Sequence, residues 1–298
     1  MATKLVLLHG RSQGGKDAST LKQQWLDALD EGMAAIGESR PVAVDDVRFP
    51  FYGDTLDRLT EDPDADDVPE VIVRGDGRTA DSTTQRMVTA MLHEVLEVQG
   101  IDDDAIRATG DPLVIERGPL SWQWIHKGLR LLDDLPGVSA ATMALATSDV
   151  ASYLTMPGVR KRINDGVAAA FADIGPDDDV VVVSHSLGTI VAYDMVAANL
   201  VHGSRALPAF ITIGSPLGLT AVRNAFSPRR FPPGATRWLN AFDKRDIIAL
   251  YPLDDERFSV DPSIENYGGV DNDTFNHHSI GGYLRDPTIA GAICAALT

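Results

Sequence analysis

Ser186 lies in the pentapeptide Ser184-His185-Ser186-Leu187-Gly188, which follows four consecutive valines, Val180 to Val183, and precedes Ile190, Val191, Met195 and Val196 at helical spacing. A buried parallel strand, a sharp turn and a helix in that order form a nucleophile elbow. The turn holds one serine in a strained backbone conformation, and the helix directs its N-terminus at whatever the serine attacks. The usual pattern is G-x-S-x-G, with small residues because strand and helix pass close together there. Gly188 fits it; Ser184 stands in place of the first glycine, and its Cβ and hydroxyl call for a slightly wider turn.

A serine hydroxyl is a poor nucleophile at neutral pH, so this chemistry needs a histidine to take its proton and a carboxylate to orient that histidine. Both occur after Ser186, in the order Ser, Asp, His. The carboxylate candidates are Asp243 and Asp246, just past an apolar strand; Asp246 is followed by Ile247-Ile248, where the chain turns back over the site. The histidine candidates are His277 and His278, in a loop that opens into the last helix. His9, His93, His126, His185 and His202 lie on elements where a structural or exposed role is expected. Donors to a developing oxyanion are expected from the backbone N–H of Leu187 and from the loop His9-Gly10-Arg11-Ser12, where we assign the N–H of Arg11, with Ser12 as the alternative.

The elements that must position these groups alternate as in an α/β protein. Leu5 to Leu8 reads as a strand, and the stripe Leu21, Trp25, Leu26, Leu29 and Met33 as a helix from about Thr20. A second strand near Val42 to Val47 then begins a parallel sheet. From Asp54 to Asp81 the chain is dense in Asp, with scattered Pro and Gly, and reads as an exposed acidic excursion. Helices are expected over Thr83–Val98, Ser121–Leu135 and Val159–Ile174, and strands over Phe210–Ile213 and Thr236–Phe242. The interval from the second strand to the valine strand is too long for one crossover, so inserted helical structure is implied. A final helix begins near Gly281 and Gly282, and the reactive groups collect at the carboxyl ends of the strands.

Composition narrows the function classes. A net charge of −17 repels nucleic acid and anionic membrane surfaces. No apolar stretch reaches membrane-spanning length, and the N-terminus leads directly into a strand, which argues against a signal peptide and against stable membrane insertion. Cys294, the single cysteine, rules out an internal disulfide and a cysteine-based metal cluster, suits a cytoplasmic setting, and is expected as a buried small hydrophobe. The run Gly10 to Asp17 comes one residue short of a P-loop. Its eighth position should carry a hydroxyl for Mg²⁺, and Asp17 brings a negative charge there instead, so nucleotide hydrolysis is the lesser alternative.

Taken together, His9-Gly10, Ser184 to Gly188, Gly214-Ser215-Pro216-Leu217-Gly218, the strand leading to Asp246, and His278-Ser279 before Tyr283-Leu284 resemble the α/β-hydrolase superfamily, in particular its lipase-like serine esterases. The resemblance implies Ser186 as nucleophile, Asp246 as acid, His278 as base, and the N–H groups of Arg11 and Leu187 as the oxyanion hole. It implies an α/β-hydrolase fold whose mostly parallel sheet is flanked by helices and shortened, because the chain begins at what is usually the family's third strand. Residues 1–53 and 155–298 would form the core, and 54–154 an inserted helical cap or lid. The implied activity is cleavage of small-molecule carboxylic esters through an acyl-enzyme, without cofactor or metal; thioesters and amides would use the same machinery. A non-catalytic module that kept only the fold is the third class.

Overall fold

The computed structural model describes residues 2–10, 17–52, 82–110, 122–135, 137–198, 203 and 205–298. Strand β1 (Thr3–Leu8) leads to helix α1 (Ala18–Ala35), and a short 3-10 turn at Val44–Asp46 enters β2 (Val47–Arg48). Among the described residues, five helices follow: α2 (Ser82–Val98), α3 (Asp103–Arg107), α4 (Trp122–Leu132), α5 (Ala140–Thr155) and α6 (Pro157–Ala172). Alternation then resumes with β3 (Asp179–His185), α7 (Leu187–Ala197), β4 (Phe210–Ile213), a 3-10 turn at Pro216–Gly218 and α8 (Thr220–Ala225). The chain ends in β5 (Trp238–Ala241), α9 (Asp255–Phe258), β6 (Glu265–Tyr267), α10 (Ile280–Leu284) and α11 (Pro287–Leu297).

All six strands pair in parallel, in the order β2-β1-β3-β4-β5-β6. Parallel sheets need both faces covered, and the two-residue period of the strands sorts their side chains accordingly. Leu5, Leu7, Val181, Val183, Ile211 and Ile213 pack with Trp25 and Leu29 of α1, Leu284 of α10 and Ile293 of α11. Val6, Leu8, Val180, Val182, Phe210 and Trp238 face the opposite way, in one hydrophobic core with α2, α4, α5, α6 and α7. The α/β class is therefore built as a six-stranded open sheet between helical layers.

Two features of this architecture place the site. First, β1 has β2 on one side and β3 on the other, so the strand order reverses between β1 and β3. A crevice opens at the carboxyl ends of two strands at such a point, and here Gly10 follows one strand and Ser186 the other. Second, every residue of α7 is buried; an apolar helix of this kind belongs inside a core. Asp194 pins α7 there by accepting from Tyr153 Oη of α5 (2.7 Å) and from Arg160 Nε of α6 (2.8 Å).

Several elements depart from the sequence reading. The second strand is two residues long, because Val44–Asp46 turns as a 3-10 helix first. Helix α5 was not anticipated: α2, α4, α6 and α7 pack around it, so its buried residues follow no single stripe. Strand β6, Glu-Asn-Tyr, is a polar edge strand without an apolar run. The acidic stretch 54–81 lies outside the described residues. Cys294 is buried in α11, as expected. Among the described residues, no helix is long and apolar enough to cross a membrane, and no cluster of three or more His, Cys, Asp or Glu is placed to hold a metal ion.

Candidate active site

Ser186 occupies the junction between β3 and α7 with φ 55° and ψ −129°. Ser186 and His277 are the only non-glycine residues with positive φ among the described residues, a conformation that costs about 1–3 kcal/mol unless its surroundings hold it. Here the Ser186 N–H donates to the Ile213 carbonyl (3.1 Å), and the Ser186 carbonyl accepts from Thr189 N–H (2.9 Å) and Oγ1 (2.7 Å). Gly188 explains the small residue after the serine: a Cβ there would lie 2.4 Å from the Leu8 carbonyl oxygen and 2.6 Å from that of His9. At Gly10, a Cβ would come within 2.7 Å of Ser186 Cβ, so the chain after β1 runs directly against the serine. Ser184, in place of the expected glycine, donates its hydroxyl to the Ile211 carbonyl at 3.1 Å.

The structure brings Ser186, His278 and Asp246 together. His278 Nε2 is 2.9 Å from Ser186 Oγ, and His278 Nδ1 is 2.7 Å from Asp246 Oδ2. With Nδ1–H donating to the carboxylate, Nε2 is left to accept the serine proton. The Asp246 carboxylate is fully buried and its acceptor positions are filled: Oδ1 takes the N–H of Ile248 (2.9 Å) and Ala249 (3.4 Å), while Oδ2 also takes Tyr283 Oη at 2.6 Å. Burial, and then the neighbouring Asp246 charge, raise the Tyr283 phenol far above its ordinary range and keep it a donor.

The alternatives in the same two loops have other work. Asp243 accepts from Arg245 Nε (3.0 Å), from Arg245 Nη2 (2.6 Å) and from the Asn272 N–H (2.7 Å). Burial opposes its ionisation, but these bonds outweigh it and lower its pKa. His277 donates Nδ1–H to the Asn272 carbonyl at 2.8 Å and holds φ 53°. These two residues therefore brace the loop that carries His278.

Three neighbours have roles at the site that the sequence reading did not specify, although it expected a structural or exposed role for His9 and His185. Tyr283 was visible only as part of a motif. His185 donates Nε2–H to the His278 carbonyl at 2.7 Å, its ring 4.6 Å from that of His278. Complete burial and then the nearby His278 hold His185 well below its ordinary pKa, so it is neutral and anchors the His278 backbone. His9 is likewise buried, and desolvation lowers its pKa to about 4. Its Nδ1–H donates to the Gly10 carbonyl (2.7 Å) and its Nε2 accepts from the Tyr52 N–H (3.2 Å), which fixes the backbone that abuts the serine. Only a buried, singly protonated histidine can serve both partners, and no sequence pattern announces that.

A cavity of about 230 Å³ opens beside Ser186 and His278, lined also by Trp25, Thr142, His185 and Asn276. Leu187 is the first residue of α7, and first-turn N–H groups of a helix have no intrahelical acceptor, so this N–H can donate to an oxyanion at the serine. Arg11 and Ser12, and with them the second expected donor, lie outside the described residues, as do residues 11–16 of the P-loop-like run and His202. Asp17, the residue that breaks that run, accepts from the Thr20 N–H at 2.7 Å and caps α1. Its negative charge thus occupies the helix N-terminus that a phosphate would need. The arrangement joins a hydroxyl, a proton acceptor and a buried anion in one hydrogen-bonded line at the mouth of a cavity. Comparison of the chain with protein-family models, with curated proteins and with solved structures finds no match, so the reading of this site rests on its geometry.

Proposed function

We propose that this protein is a serine hydrolase of the α/β-hydrolase type that cleaves carboxylic esters. Ser186 Oγ attacks the ester carbonyl while His278 Nε2 takes its proton. The resulting imidazolium is stabilised by Asp246, and the oxyanion by the Leu187 N–H together with a donor from the loop after β1, assigned to Arg11. His278 then gives the proton to the leaving alcohol, which frees an acyl-enzyme. Water, activated by the same imidazole, releases the acid and restores Ser186.

One observation carries this reading: the same imidazole lies 2.9 Å from a serine hydroxyl held at positive φ and 2.7 Å from a fully buried carboxylate. A scaffold without catalysis has no need to keep a strained serine at that spot. The six-stranded parallel sheet agrees with the shortened sheet of the resemblance, and helices α2 to α5 supply the cap-like part of the chain. The single cysteine supports a cytoplasmic setting.

A fluorophosphonate probe tests the proposal. The protein should be labelled at Ser186, and Ser186→Ala should be neither labelled nor active on p-nitrophenyl acetate. Ester cleavage by Ser186→Ala within tenfold of the wild type would refute it.

A further inference from the structure

A second, much smaller space reaches Ser186, and His278 is not among its lining residues. It measures about 10 Å³ and is lined by Met91 of α2, by Met143, Thr147 and Val150 of α5, and by Pro216 and Leu219 after β4. That is room for about one group the size of a water or a methyl. Its chemistry is apolar, because Thr147 is its one polar side chain besides Ser186, and the Thr147 hydroxyl donates to the carbonyls of Met143 (3.0 Å) and Ala144 (2.9 Å) in its own helix. A polar group placed there would be desolvated without a partner.

The two spaces take different halves of an ester. A leaving alcohol must receive its proton from His278 Nε2, so it belongs in the 230 Å³ cavity that His278 lines. The acyl chain leaves the carbonyl carbon away from the leaving oxygen, and the slot, which touches Ser186 but not His278, is the second space open to it. Ala146 and Ile248, with Ser186, line both spaces.

The slot walls are also tied down. Glu94, one turn from Met91 on α2, accepts from the Thr220 N–H (2.8 Å) and Oγ1 (2.9 Å) just past Leu219. Thr84 and Thr155 join α2 to α5 through their hydroxyls at 2.6 Å. Packed walls held in this way do not widen freely for a longer chain.

Resting on the esterase reading above, we propose that the acyl half of the substrate is a short, unsubstituted alkanoyl group of acetyl size, and that Met91 and Met143 set this limit. In the reaction, the acyl carbon exchanges its bond to the leaving oxygen for one to Ser186 Oγ, and the alcohol departs with the serine proton. Water then cleaves the acyl–Oγ bond, giving the short acid and the free hydroxyl.

The test measures kcat/KM for p-nitrophenyl acetate, butyrate and octanoate, which share one leaving group. The wild type should prefer acetate to octanoate by at least a hundredfold, and Met143→Ala should move the optimum to butyrate. Should Met143→Ala fail to fold, Met91→Ala deepens the slot from the opposite wall and is expected to make the same move. An acetate-to-octanoate ratio below tenfold in the wild type would sink the size limit while leaving the esterase intact. A series in which no ester is cleaved and Ser186 escapes the fluorophosphonate would remove both.

Discussion

Asp243 with His277 and Asp246 with His278 make two carboxylate-histidine pairs drawn from the same two loops, yet their surroundings differ throughout. Asp246 and His278 face inward and meet at 2.7 Å, in line with Ser186. Asp243 and His277 never touch each other through their side chains. Each grips the Asn272 backbone, Asp243 at its N–H and His277 at its carbonyl, and Arg245 neutralises the carboxylate. In the proposed mechanism the pair of Asp246 and His278 moves a proton, and the pair of Asp243 and His277 holds the loop that presents it. Tyr283 connects them, since its hydroxyl accepts from the Asp243 N–H at 3.1 Å and donates to Asp246. The lesson is that residue type and chain order select a group of candidates, while the direction in which each backbone turn points its side chain divides them.

The sharpest way to break this contrast is to exchange the consequences within each pair. Ser186→Ala and His278→Ala should each lower kcat on the order of a millionfold, whereas His277→Ala should stay within tenfold of the wild type. Collapse of the His277 variant alone would reverse the assignment. Asp246→Asn should cost about ten-thousandfold in kcat through the wrong imidazole tautomer. Asp243→Asn should instead cost about 2 kcal/mol of stability, read as a lower urea midpoint, with kcat largely kept.

Acid should reveal the buried histidines behind the inner pair. His9 has a pKa of about 4 when folded against 6.5 when exposed. Between those values the unfolded chain binds a proton that the folded chain refuses, so stability is full above about pH 6.5 and falls as the pH drops towards 4. The loss from His9 is on the order of 3 kcal/mol, and His185 is shifted in the same direction. His9→Gln should flatten the difference between unfolding midpoints at pH 7 and pH 4.5; an unchanged slope would clear His9 of that role. The smallest effect is expected from Tyr283→Phe, which removes one of two donors to Asp246 Oδ2. A loss of about tenfold in kcat with KM unchanged would mark Tyr283 as a positioning residue.

Much of this site was legible because its pieces are local. Val180 to Gly188 carries strand, turn and helix start within nine residues, although the atoms that exclude a Cβ at Gly188, the Leu8 and His9 carbonyl oxygens, come from the end of β1. Helices α2 and α4 showed themselves through apolar stripes that one covered face demands. Helix α5 stayed hidden although it lines both spaces beside Ser186, because a helix packed on several sides has no stripe. His9, His185 and Tyr283 stayed hidden for a related reason, since what they do depends on partners up to 93 positions away, as with His185 and the His278 carbonyl.

By itself the amino-acid order determined the α/β alternation, the elbow around Ser186 and the short set of acids and bases downstream, because strand period, helix stripe and turn sterics act over a few neighbouring residues. Only the tertiary structure shows which of Asp243 and Asp246, and which of His277 and His278, lies in line with Ser186, and how much room adjoins the serine. Those outcomes depend on distances and burial among segments far apart in the chain, and these exist only once the sheet has brought the loop ends to one crevice.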